Sequence, residues 1–434
     1  MKKAESIKTN PRNITLNVHG LSEDAYLNCI RCGLCLSVCP TYREYLTETT
    51  SPRGRVALTR KGLEEELVLS PNLFEQMYAC FACMACNDAC PVGIQPAELA
   101  LQMRQKQEQM QPSKWKNGLF GGLIPKPERM ELATLPLRIY EMIGLRRLVY
   151  TLGIRKLMPA QLRDLESMLP HLPQRPLREI LPEKTPADEK SLHQVGFFLG
   201  CAQSLMFADE SAATVRVLTK NNCTVFKPKD VTCCGMPAKG YGREDLLIEM
   251  AKENIETFEK INTEVIVTDC ATCGSTLKEY GELFENDPLW AERAGNFSSK
   301  VRDISEYLME IPLKKPAGKV EGVVTYHDPC HLRRGQDVWQ QPREILQMID
   351  GLEFVEASEA DWCCGSAGSQ LITHYETSLK VLDRKMVNIE NTQANFVASG
   401  CPGCQMQLNV GVRKNNLDTE VVHPVTLLDK AYRS

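Results

Sequence analysis

Val195-Gly196-Phe197-Phe198-Leu199-Gly200-Cys201 is an apolar, strand-like run that ends on a cysteine, and the chain uses this device twice. A helix pattern follows it (residues 211–222, SAATVRVLTKNN), then a second strand ending at Lys227-Pro228. Cys233-Cys234-Gly235 comes next, then a helix pattern (245–260) and a buried-type strand, 264–269, that delivers Cys270-Ala271-Thr272-Cys273. The order then returns. Val323-Val324-Thr325-Tyr326-His327-Asp328-Pro329-Cys330 is the strand and first cysteine, Cys363-Cys364-Gly365 the middle pair, and 395–400 leads into Cys401-Pro402-Gly403-Cys404. Matching cysteines stand about 130 residues apart, the mark of an internal repeat. Strands alternating with helices predict two small α/β lobes with mainly parallel sheets. Both lobes put cysteines at strand C-terminal ends, where open α/β folds place their sites.

Upstream lie two further cysteine runs. The first is Cys29-x-x-Cys32-x-x-Cys35-x-x-x-Cys39-Pro40 and the second Cys80-x-x-Cys83-x-x-Cys86-x-x-x-Cys90-Pro91. A cubane needs four thiolates converging from different directions. In such runs three closely spaced cysteines wrap one cluster and the fourth turns away to the other. Cys29, Cys32, Cys35 and Cys90 are therefore expected to hold one [4Fe–4S] cluster, and Cys80, Cys83, Cys86 and Cys39 the second. C-x-x-C pairs also suit zinc, but two complete four-cysteine runs, each closed by proline, point to clusters and to electron transfer.

The 434 residues carry 19 cysteines and a net charge of −4, with 43% apolar and 24% charged residues. The balance is that of a globular protein without the basic excess of a nucleic-acid binder. The opening Met1-Lys2-Lys3-Ala4-Glu5-Ser6 runs into a polar stretch with no apolar core, which argues against a secretory signal. No run reaches 18 apolar residues. The expected location is cytoplasmic, and thiols there read as metal ligands or redox groups rather than a disulfide framework.

The expected fold is multidomain α+β. It divides into an N-terminal arm (1–20), an α-helical two-cluster ferredoxin-type domain (21–110), a Pro-rich helical connector (111–190) and two repeated α/β lobes (191–315 and 316–434). Apolar spacing predicts helices over 56–69 and 97–110. The connector should embed one or two helices. Its stretch 137–165 mixes Leu, Ile and Tyr with Arg138, Arg146, Arg147, Arg155, Lys156 and Arg163. Such a segment can lie on the inner face of an anionic membrane. Packing on the protein itself or on a partner subunit is the reading preferred over that one.

Each lobe offers five thiols: Cys201, Cys233, Cys234, Cys270 and Cys273, then Cys330, Cys363, Cys364, Cys401 and Cys404. Adjacent cysteines do not easily share one tetrahedral ion but can bridge neighbouring irons. Gly235 and Gly365 would allow a close backbone approach or positive φ. A zinc site or inert structural thiols stay open as alternatives. Cys223 lies outside the pattern and is expected to be a buried apolar thiol.

The pattern C-x(31–39)-C-C-G-x(34–36)-C-x-x-C resembles the cysteine-rich "CCG" domain of heterodisulfide reductase catalytic subunits, and both copies match it. Two ferredoxin motifs followed by two CCG domains is a layout shared by three groups. They are the glycolate oxidase iron–sulfur subunits, the lactate-utilisation iron–sulfur subunits and the heterodisulfide reductase polypeptides that combine both domain types. Cys39-Pro40-Thr41-Tyr42, Ser51-Pro52-Arg53-Gly54-Arg55, Lys278-Glu279-Tyr280-Gly281, Asn286-Asp287-Pro288-Leu289 and Cys363-Cys364-Gly365-Ser366-Ala367-Gly368 resemble the glycolate oxidase branch. The likeness runs from about residue 25 to the C-terminus. One departure stands out: many members of that branch have lost CCG cysteines, whereas this chain keeps all ten. The resemblance implies up to two further, noncubane [4Fe–4S] clusters in the lobes.

Around these cysteines, His327, His331, Arg333 and Arg334 flank Cys330 and could tune a cluster or donate protons, or simply pack a loop. Arg53 and Arg55 could offset cluster charge or hold a partner; Lys239 is a weaker candidate. No G-x-G-x-x-G, P-loop or nucleophile–base signature is present, so no flavin or nicotinamide is expected on this chain and no catalytic residue is assigned. The expectation is an electron-transfer subunit, unable to oxidise a hydroxy acid alone. It would serve an FAD-containing glycolate or D-lactate dehydrogenase and pass electrons to a quinone, electron-transferring flavoprotein or other acceptor. The alternative is a thiol–disulfide reductase working at the CCG sites.

Overall fold

The structure is a computed structural model that describes residues 24–170, 172–261 and 263–434. The arm expected at 1–20 lies outside them. Two helices of the N-terminal region begin the same way. In Pro52–Leu63 and Pro71–Tyr78 a proline occupies the first turn, where its missing N–H costs nothing. The preceding serine hydroxyl accepts a backbone N–H: Ser51 from Gly54 at 2.9 Å, and Ser70 from Leu73 at 3.3 Å. The first of these corrects the helix expected over 56–69. The Ser-Pro cap starts it at Pro52. Glu65, at φ 60°, turns the chain out of it after Leu63 and leaves Leu67 and Val68 exposed. With Pro96–Met110, the helices close small cores built on Leu73, Phe74, Met77, Ala100 and Met103, and on Tyr26, Val56, Ile94 and Leu99.

The first lobe holds strands β1 (Lys184–Thr185), β2 (His193–Phe197), β3 (Cys223–Phe226), β4 (Val265–Thr268) and β5 (Val301–Asp303), in the order β1-β3-β2-β4-β5. All pairings are parallel except that of β1, which lies within the 111–190 stretch and runs antiparallel to β3. The second lobe holds β6 (Gly322–Tyr326), β7 (Leu352–Phe354), β8 (Phe396–Ala398) and β9 (Glu420–Val422), all parallel, in the order β7-β6-β8-β9. Leaving out β1, the two sheets share one topology, so the sequence repeat is a structural repeat.

In this strand order the connections leave β2 and β4 in opposite directions, and likewise β6 and β8. That makes a switch point, the crevice where open α/β sheets bind ligands. Cys201 and Cys270 follow β2 and β4; Cys330 and Cys401 follow β6 and β8. The lobes are not independent, because one apolar core runs from Val195 and Val267 through Tyr307 to Val324, Ile345 and Leu428. The C-terminal helix Pro424–Arg433 packs on Ala208–Lys220 of the first lobe, where Arg216 grips the buried Asp429 carboxylate with two nitrogens, at 3.0 and 2.7 Å.

The connector carries more helix than expected: Pro127–Met142, Leu145–Thr151 and Ala160–Met168, with a 3-10 turn at Ile154–Leu157. Among the described residues no helix is long and apolar enough to cross a membrane.

Candidate metal centres

Four groups of thiols form, and local backbone geometry explains the first two. In each ferredoxin-type run the residues on either side of the middle cysteine are left-handed: Arg31 and Gly33 (φ 56° and 86°), Ala82 and Met84 (φ 49° and 59°). Two such residues curl a C-x-x-C-x-x-C loop around a common centre. Cys29, Cys32 and Cys35 line one cavity together with Cys90, and Cys80, Cys83 and Cys86 line another together with Cys39. The crossed partition therefore emerges as two four-thiol cavities, a donor set that fits a cubane cluster each.

Arg55, 2% exposed, reaches the second cavity. Its Nη1 lies 4.0 Å from Cys39 Sγ, Nη2 donates to Thr41 Oγ1 at 3.0 Å, and Nε donates to the Gln76 carbonyl at 2.9 Å. Arg53 lines the first cavity, but its guanidinium is bound to Glu48 (Nη2–Oε1 2.6 Å) and to the Arg31 carbonyl at 3.3 Å. Sequence reasoning missed Arg104. Fully buried, it donates to the carbonyls of Met77 (2.7 Å), Cys80 (2.6 Å) and Gly240 (2.8 Å), pinning the second loop to the first lobe. The available signal was a charge at i+4 from Ala100 and i+3 from Leu101, on the apolar face of its helix.

In each lobe the five cysteines gather behind the glycine of Cys-Cys-Gly. Gly235 and Gly365 sit at φ 90° and 87°, and an added Cβ would meet Leu247 Cδ1 at 2.3 Å or the Ser378 carbonyl at 2.6 Å. Both reasons for glycine thus apply at once. Cys201 Sγ is 3.9 Å from Cys233 Sγ, and the Gly235 and Gly365 N–H groups donate to Cys233 and Cys363 at 3.5 and 3.4 Å. Hydrogen bonds from Cys233 and Cys273 hold the Cys234 thiol well below its usual range; Cys233 and Cys273 are pushed well above theirs by those same sulfur contacts and by burial. Cys364 is lowered in the same way by Cys363, Cys404 and His327. Packed, buried thiols of this kind cannot all ionise without a cation, which suits an iron centre.

The lobes differ at one position. Phe198, three residues before Cys201, packs among the first lobe's thiols. Its counterpart His327 brings a ring nitrogen within 4.8 Å of the Cys364 and Cys404 sulfurs. Neither of its buried ring nitrogens has another partner within hydrogen-bonding distance among the described residues. His331 is also buried, and burial lowers its pKa. Lys239 meets carboxylates, Glu279 at 2.9 Å and Glu98 at 3.3 Å, rather than thiols. Cys223 is fully buried, its thiol raised to about 11 by burial, against Asn221 and Tyr307.

The four groups adjoin in a fixed order. The two ferredoxin-type cavities share Pro96. Cys83 of the second touches Cys330 and Cys363 of the second lobe, in a seam closed by Phe81 and Trp362. Arg334, 7% exposed at its side chain, clamps that seam between Asp88 (3.2 Å) and Asp361 (2.7 Å). Cys401 of the second lobe then touches Cys270 of the first; Thr272 Oγ1 lies 3.4 Å from Cys401 Sγ, and the Ala271 N–H donates to Gly400 at 2.9 Å. Space therefore orders the groups as first cavity, second cavity, second lobe, first lobe, which is not their order in the chain. Beneath Cys270 and Cys401, Asp269 accepts from Ser211 (2.5 Å) and Thr214 (3.1 Å), and Glu210 accepts from Gln405 at 3.0 Å. Burial raises Glu210 to about 8.

Comparison with known proteins agrees with this architecture. A family model described as a 4Fe-4S dicluster domain matches residues 25–94, and one described as a cysteine-rich domain matches 195–278 and 324–409. A third, the glycolate oxidase iron-sulfur subunit linker region, matches 111–169. The chain is 34% identical over 421 residues to the probable glycolate oxidase iron-sulfur subunit of Bacillus subtilis, covering 95% of each chain. It is 28% identical over 424 residues to the glycolate oxidase iron-sulfur subunit of Escherichia coli, covering 96% of each. With lactate utilization protein A of Oceanobacillus iheyensis it shares 32% identity over 237 residues, 54% of this chain and 96% of that one. The chain belongs to the family of glycolate oxidase iron–sulfur subunits.

Proposed function

We propose that this chain is the electron-transfer subunit of a flavin-dependent 2-hydroxy-acid dehydrogenase, of the glycolate or D-lactate type. The eight ferredoxin-type cysteines hold two [4Fe–4S] clusters in the crossed partition, and the five cysteines of each lobe hold one further iron–sulfur cluster. Bound clusters of this kind supply one-electron carriers. The chain's part is to hold them in file and dry. The observation that carries the reading is the unbroken sequence of thiol contacts, Cys83 to Cys330 and Cys401 to Cys270, which joins all four groups. A partner FAD subunit takes the two electrons of the hydroxy acid, and this chain divides them into single steps towards an acceptor.

A second reading, disulfide reduction, is favoured by the junction itself, where Cys270 and Cys401 of two complete five-thiol groups adjoin. One experiment separates the two. Replacing Cys233 and Cys234 together, or Cys363 and Cys364 together, should remove about four irons and leave the ferredoxin-type signals intact. In the complex with its flavoprotein, acceptor reduction should stop while the hydroxy acid still reduces the flavin. Disulfide cleavage by the unaltered chain with an artificial donor, lost in the same variants, would favour the second reading. Iron that stays near eight per chain, with zinc in the lobes, would remove the cluster assignment from both.

A further inference from the structure

Cys201 differs from the other nine lobe cysteines: they are buried, and it is half-buried. With Cys233 it floors a cavity on the outer side of the first lobe. Cys234, Cys270 and Cys273 do not line this cavity, so it lies beside the five-thiol group and not within it. The facing wall comes from the connector helix Pro127–Met142, through Pro127, Met130 and Glu131. Its free volume, mouth included, is about 450 Å³, within the roughly 300–1,000 Å³ of small-molecule sites.

Leu199, Leu205 and Val231 make the lining largely apolar, and the polar groups are few. The Ser204 hydroxyl accepts from the Arg178 backbone N–H at 3.1 Å, which leaves its own proton to donate. The buried Lys227 ammonium donates one proton to the Arg178 carbonyl at 2.7 Å and has two more. An apolar slot with a few donors, against the last thiols of the file, suits a flat ring bearing carbonyl oxygens. It is too enclosed for the surface of a protein carrier.

The same connector helix, with the turns after it, exposes Leu132, Met142, Ile143, Leu152 and Leu157. Such a cluster of large apolar side chains marks an interaction face. Residues 137–165 carry six Lys or Arg against two Asp or Glu, in a chain whose net charge is −4. Apolar side chains set in a basic segment suit an anionic lipid surface.

We propose that the cavity between the connector and the first lobe is a quinone site, filled from a lipid surface on which the exposed connector helices rest. The proposal rests on the electron-transfer reading and names its acceptor. The quinone takes two electrons, delivered singly through the first lobe, and two protons from water, and leaves as quinol. The hydroxy acid, losing two electrons and two protons on the partner's flavin, becomes the 2-oxo acid.

The test uses the whole complex in anionic phospholipid vesicles with a short-chain azidoquinone. Photolabel should fall on peptides carrying Met130 and Leu205, and excess unlabelled quinone should displace it. Met130→Trp and Ser204→Phe narrow the slot from opposite walls. Each should weaken labelling and raise the KM for quinone by about tenfold or more. Labelling confined to other parts of the complex, or an unchanged KM in both variants, would overturn the assignment. Failure of the underlying reading looks different: the hydroxy acid would not bleach the clusters of the unaltered complex, whether or not the cavity takes the label.

Discussion

Cys83 of the ferredoxin-type domain meets Cys330 of the second lobe sulfur to sulfur, across a seam that Trp362 and Phe81 keep dry. The contact settles which lobe is next to the cubane cavities. It is the lobe farther along the chain, so the first lobe stands at the end of the file. Arg334 and Arg104 lock the arrangement, each a buried guanidinium that ties a cluster loop to a neighbouring lobe.

The crossed cavities make a direct prediction. Cys39→Ser should damage the centre held by Cys80, Cys83 and Cys86, and spare the one held by Cys29, Cys32, Cys35 and Cys90. Electron paramagnetic resonance of the reduced, anaerobically purified protein distinguishes the two. Loss of signal from the first centre alone would show the partition to be wrong.

Arg55 places a buried positive charge beside Cys39. Arg55→Met should lower the potential of the second ferredoxin-type centre, since an adjacent cation favours the reduced, more negative state. The Thr41 hydroxyl and Gln76 carbonyl also lose their donor, at about 1–3 kcal/mol for each buried group left unmatched. A redox titration and a thermal melt read the two effects. An unchanged potential would mean the guanidinium serves the fold alone.

Glu210 sets a pH dependence. Its folded-state pKa of about 8 lies above the usual 4.5 because the carboxyl is buried. The folded chain therefore keeps a proton that the unfolded chain releases between those values. This contribution is complete below pH 4.5 and is lost as pH rises towards 8. Glu210→Gln should remove part of that decline, a few kcal/mol at roughly 1.4 kcal/mol per pH unit. Asp303, raised by burial to about 7, would leave a residual slope. Melting points at pH 5.5 and 8 check it; an identical drop in both proteins would place the charge of Glu210 in contact with solvent.

Much of this was legible in the residues. The cysteine runs, the repeat and the Cys-Cys-Gly glycines follow from spacing and from the backbone freedom those positions require. Helix limits were less legible where a cap outranks periodicity, as Ser51-Pro52 does at the start of Pro52–Leu63. The connector misled for a related reason: Pro127 opens a helix rather than breaking one, and Pro136 is carried within the same helix. His327 was named from its neighbourhood, but that it faces Cys364 and Cys404, with Phe198 in its place in the first lobe, came from packing.

The sequence by itself determined the number of thiol groups, their membership and the topology of the lobes. Those depend on local spacing and on the period of strands and helices. Only the tertiary structure decided the order of the groups in space, the cavity at Cys201 and the burial of Arg55, Arg104 and Glu210. These depend on which surfaces meet. The Cys83–Cys330 and Cys270–Cys401 contacts join residues far apart in the chain, and packing between domains, which no local pattern encodes, brings them together.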